Sequence, residues 1–138
     1  MKHTKANFKA LRERVGLSQQ DIADMLGVTR TSVKRWERPG FNDPPDDAWD
    51  LLAAKGEAQR TMVDEISERC VSEGVSSLQL TYWRNQEQFD ALGHDEGPHT
   101  VANANARAIA QELESIGVEV EFAYPDDGGG VYHQATHP

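Results

Sequence analysis

Residues 18–40 read SQQDIADMLGVTRTSVKRWERPG. Ser18 is a natural helix N-cap, and Asp21, three residues on, stands where the acid of a capping box belongs. Ile22, Ala23 and Leu26 mark the buried face of a short helix. Gly27 ends that helix by supplying the positive φ of a tight turn. Thr29 caps the next helix, whose inner face is Val33 and Trp36. Gln19, Ala23, Gly27 and Val33 stand at intervals of four, four and six residues. Two helices that cross steeply need a small side chain at the crossing, which Ala23 provides. The outward helix needs an apolar clamp, which Val33 and Trp36 provide. Arg30, Thr31, Lys34 and Arg35 are then left facing outward.

Ser18 to Trp36 is therefore a helix-turn-helix pattern. The words LSQQDIADMLGV and SVKRWE resemble the Cro and phage-repressor type of regulators, the XRE family, over roughly residues 6–55. The resemblance implies DNA binding, with base readers at the positions held here by Arg30, Thr31 and Arg35. It also implies a phosphate contact at Gln19. The third helix would lie in the major groove with its N-terminal end against the base edges. Arginine bidentate to guanine is the commonest specific contact, so at least one G·C pair per half-site is expected. Ser32, Lys34 and Arg38 are further phosphate candidates; such contacts position a protein without reading sequence. Glu37 is expected to pair with a nearby cation. Arg12 and Arg14 read as a solvated face, with a phosphate contact as the alternative.

Charge is divided in the same sense. The chain of 138 residues carries a formal net charge of -9. Residues 1–40 hold nine Lys/Arg against four Asp/Glu, whereas residues 41–138 hold five against nineteen. A basic head on an acidic body is the layout of a nucleic-acid reader whose remainder faces away from the duplex. The opening MKHTKANFKALRERVG has no apolar run of signal-peptide length. No stretch approaches the ~20 apolar residues of a bilayer span. Cys70 is the single cysteine, which suits a reducing compartment. The expected location is the cytoplasm.

Outward from the central stretch, Phe8, Leu11 and Val15 form one stripe of a first helix that Gly16 ends. RPGFNDPPDD is a loop, and Asp43 or Asp46 starts the next helix. In that helix Ala48, Leu51 and Leu52 form one apolar face and Met62, Val63, Ile66 and Cys70 another. Gly56 is a candidate break, and Gly74 closes the run. SSLQLTYWR alternates as a strand with Leu78, Leu80 and Tyr82 on one side. A short helix over NQEQFDAL and a Gly/Pro loop follow. The next helix presents Ala102, Asn105, Ala106, Ile109, Leu113 and Ile116. VEVEFAY is a second strand. The expected class is α+β: a helix-turn-helix domain with its trailing helix over 1–73, a small α/β dimerisation module over 74–124, and a flexible tail over 125–138.

One such reader covers few base pairs, and specific binding usually joins two copies on half-sites about 34 Å apart. The expected partners are thus double-stranded DNA with a palindromic operator, and a second copy of the chain. Val118, Val120, Phe122 and Tyr124 would face a core or a twin. Trp83 is either an anchor of that seam or a residue tucked under the helix over 99–116. LTYWRNQEQFDAL and ANANARAIAQELESIG resemble YdiL-like proteins and anti-CRISPR-associated repressors. That resemblance implies a homodimeric autorepressor and, for some relatives, RNA binding. The alternative is an antitoxin whose C-terminal module binds a partner protein.

Other signals are weaker. HDEGPH gathers His94, Asp95, Glu96 and His99, which are metal-ligand types, but no second cluster completes a site. His133 and His137 in the tail are weaker still, and Asp126 and Asp127 with Gly128 to Gly130 make a flexible turn, not a phosphate cradle. Cys70 on an apolar helix face reads as an inert thiol. There is no P-loop, dinucleotide fingerprint or nucleophile elbow. No metal, cofactor or enzymatic activity is expected.

Overall fold

The computed structural model describes residues 1–126. Six helices and two strands follow in the order α1 (Lys5–Val15), α2 (Gln19–Leu26), α3 (Arg30–Trp36), α4 (Asp46–Glu73), β1 (Ser77–Thr81), α5 (Gln86–Leu92), α6 (His99–Ser115) and β2 (Glu119–Ala123). The class is α+β. The chain divides into two compact units, Met1–Ala58 and a second that begins at Gln59. The boundary falls inside α4 and not at its end, because Ile66 and Cys70 belong to the second core.

In the first unit the starts of α1, α2 and α3 are each set by a side chain. Thr4 accepts the amide of Asn7 ahead of α1. Ser18 and Asp21 form a complete capping box on α2, and Thr29 accepts the amide of Ser32 ahead of α3. Each such cap is worth about 1 kcal/mol. Gly16 (φ 84°) and Gly27 (φ 68°) make the two left-handed turns that stop α1 and α2. Phe8, Val15, Ile22, Val33 and Leu52 are fully buried. Each such apolar side chain contributes roughly 1.5–3 kcal/mol by its burial. Phe8 stands edge-on to Trp36 and to Trp49, with ring centroids 6.1 and 5.2 Å apart. Trp49, which the apolar spacing does not single out, is buried beside Ala48, whereas Leu51 is only half-buried.

Gly56 does not break α4, which runs without interruption through it. It lies where the helix passes α1: a Cβ built there would sit 3.5 Å from Leu11 Cδ1, an ordinary contact.

The second unit is built on a two-stranded parallel sheet, with Leu78 opposite Val120 and Leu80 opposite Phe122. Parallel strands require a crossover, here α5 and α6. Ile66 and Cys70 of α4, Leu80, Ile109, Ala110, Leu113 and Val118 close one core. The inward face of α6 is Asn103, Ala104, Ala106, Ile109, Ala110 and Leu113, a partial correction of the apolar pattern. Asn103 turns in because its amide is fully used: Oδ1 accepts from Trp83 N and Nδ2 donates to Trp83 O, both at 2.8 Å. Ile116 comes at the C-cap, after the helix has ended, and is exposed.

Pro125 is buried, and Asp126 accepts from Arg84 Nη2 at 2.9 Å, so the chain is held to that point. The remainder of the expected tail, with Asp127, Gly128 to Gly130, His133 and His137, lies outside the described residues.

Candidate nucleic-acid interface

The outer face of α3 carries the cationic residues. Arg30, Thr31, Lys34 and Arg35 are all exposed, opposite the buried pair Val33 and Trp36. Positions 25–36 contain no acidic residue. Arg38, also exposed, follows the helix. The ring of Phe41 lies against both flanking cations, 5.6 Å from Arg35 Cζ and 5.8 Å from Arg38 Cζ. Contacts of this kind at an exposed site are worth about 0.5–1 kcal/mol. They hold two guanidiniums that would otherwise sample many rotamers. An exposed aromatic three and six residues after two arginines is a signal the sequence offers, although its role is visible only in three dimensions.

The helix is also tied from behind. Lys5 Nζ donates to the carbonyls of Arg35 (3.3 Å), Trp36 (3.0 Å) and Asn42 (2.6 Å). It lies 3.6 Å from Asp43 Oδ1 as well. An ammonium on the last carbonyls of a helix satisfies orphan acceptors and complements the helix dipole. No spacing rule would pick out Lys5 for this, because its partners lie 30 to 37 residues away.

Arg12 is not a solvated cation. Its guanidinium forks onto Glu37, with Nε–Oε2 at 2.6 Å and Nη2–Oε1 at 2.9 Å, and Nη1 donates to Leu17 O. The two side chains are 11% and 4% exposed. Such bidentate geometry is strong and directional. The expected partner of Glu37 is thereby found, and Arg12 is withdrawn from contact with a phosphate.

Gln19 opens α2 and is half-buried, its Nε2 donating to Glu37 Oε1 at 3.1 Å. Around it opens a polar groove of about 520 Å³ lined by Lys9, Ser18, Gln19, Gln20 and Arg30 among others. Backbone amides at a helix start favour anions, and Lys9 adds a full charge there. Ser32 is half-buried, and its hydroxyl lies 3.0 Å from that of Thr29 inside the cap.

In the second unit Trp83 takes the tucked arrangement. It is 3% exposed, bonded through its backbone to Asn103 and packed edge-on to Phe89, so its own chain covers the ring. Val118 is buried in the core and Val120 is half-buried, whereas Phe122 and Tyr124 are exposed. His99 caps onto Gln86, with its amide 2.8 Å and its Nδ1 3.1 Å from Oε1. No group of three or more His, Cys, Asp or Glu among the described residues is placed to hold a metal ion. Burial first, and then the charge of Glu73, push the Cys70 thiol up from its ordinary value. No helix of the described residues is long and apolar enough to cross a membrane.

No curated protein matches the chain. Residues 8–39 match a family described as helix-turn-helix, the stretch that runs from the first buried ring of α1 to the end of the cationic surface. Within that stretch the capping box of α2, the left-handed Gly27, the buried Ala23 and the outward arginines of α3 together make a helix-turn-helix, the family that residues 8–39 match.

Proposed function

We propose that the chain is a sequence-specific transcription regulator. It binds double-stranded DNA as a homodimer on an inverted repeat and represses by occupying a promoter. The observation that carries this reading is the outer face of α3: four exposed polar and cationic side chains on a helix capped at one end by Thr29 and tied at the other by Lys5. Arg30, Thr31 and Arg35 read base edges. Gln19, Ser32, Lys34 and Arg38 hold phosphates, with Lys9 added from the groove. Dimerisation belongs to the second unit, because a single reader covers too few base pairs for specificity. The acidic remainder disfavours non-specific association with the duplex.

Selection of bound fragments from random DNA is the direct test. It should return two symmetric half-sites, each with at least one G·C pair. Arg35→Ala should then weaken specific binding by about 1–3 kcal/mol and relax preference at one base pair per half-site. An unchanged preferred sequence in that variant would remove Arg35 from base reading. Recovery of no enriched motif would remove the proposal as a whole.

A further inference from the structure

Both strands of the parallel pair end at the same edge, and an aromatic residue follows each: Tyr82 after β1 and Tyr124 after β2. Tyr82 N donates to Ala123 O at 2.9 Å, which carries the pairing to this edge. Tyr82, Phe122 and Tyr124, with Arg107 from α6, line a cleft of about 370 Å³. That volume is within the range of small-molecule sites, roughly 300–1,000 Å³. In open parallel sheets ligands collect outside the carboxyl ends of the strands, which is where this cleft lies.

Its walls are held in place. Tyr82 and Phe122 are in tilted contact with centroids 5.2 Å apart. Arg84 lies over the Tyr124 ring at 4.3 Å, and its charge is answered by Asp126. Arg107 Nη1 donates to the Tyr82 hydroxyl at 2.6 Å, which fixes the guanidinium and, among the described residues, leaves the rest of its fork open. Phe122 and Tyr124 nonetheless present 44% and 39% of their surface to solvent.

We propose that this cleft binds a small planar aromatic carboxylate, its ring against Phe122 and Tyr124 and its carboxylate on Arg107. The charge distribution selects the size of the anion. From Gln59 onward the chain has four Lys/Arg and fourteen Asp/Glu, and one of those four cations, Arg107, lines this cleft. A polyanion such as RNA meets repulsion from the rest of the unit, whereas a single carboxylate meets one guanidinium. The site lies wholly in the second unit, and its test does not depend on DNA binding.

The full chain is titrated with 2-naphthoate and with indole-3-carboxylate, and 2-naphthamide serves as the neutral counterpart. Binding is followed by calorimetry and by backbone amide shifts. Saturable binding of an acid, with shifts centred on Tyr82, Phe122, Ala123 and Tyr124, is the expected result. Arg107→Met and Arg107→Lys separate charge from fork geometry. The first should weaken the acids by about tenfold and leave the amide unchanged. Phe122→Ser should weaken acid and amide alike without altering the sedimentation of the protein. The proposal is overturned if neither acid saturates at about millimolar concentration, or if amide and acid bind equally. Conversion of a dimer to a monomer by Phe122→Ser would also overturn it, since the cleft would then be a seam between two copies.

Discussion

Arg12 and Glu37 meet across 25 residues and hold α1 against the end of α3. Glu37 has almost no exposed side-chain surface, so removing its partner leaves a buried carboxylate with only Gln19 to satisfy it. Arg12→Ala should lower unfolding stability by about 3 kcal/mol, read from urea denaturation. Replacing both residues together with apolar ones of similar size should recover much of that loss. That Glu37 seeks a cation is legible in the sequence, because an acid among cations beside a buried Trp has few other uses. Which cation it takes is not legible. Arg12 and Arg14 differ by half a helical turn, and the choice depends on how α1 is rotated about its axis.

Helices of the first unit are readable from caps and glycines because those signals act within four residues. Strands are readable from alternation, but alternation carries no direction, so the parallel pairing of β1 with β2 appears only in the fold. The face of α6 is displaced from its apolar pattern for a related reason. Periodicity counts apolar residues, and Asn103 earns burial by bonding both backbone groups of Trp83. Gly56 shows a local signal overridden. Its lack of a side chain suggests an interruption, yet tertiary contact with α1 carries the helix across it. Gly56→Ala should therefore stabilise the protein by about 0.5–1 kcal/mol, seen as a raised Tm, since the added Cβ meets Leu11 at ordinary distance. A lowered Tm would mean that the α4–α1 contact cannot admit the added methyl group.

At the scale of the whole chain, charge division sets the behaviour on DNA. If Lys9, Lys34 and Arg38 of two copies each neutralise a phosphate, log affinity should fall against log salt with a slope of about -5.4. Anisotropy titration over a salt series measures it, and a slope near zero would contradict the placement of these side chains. Not every cation of the basic head contributes, however. Arg12 is spent on Glu37, and Lys5 is surrounded by three carbonyls and Asp43, with its side chain 18% exposed. Lys5 should accordingly be the slowest of the five lysines to acylate when the native protein is treated with acetic anhydride and mapped by mass spectrometry. Forced acylation at that one position would release the far end of the reading helix while leaving its outer surface chemically untouched, separating the integrity of the scaffold from the chemistry of recognition.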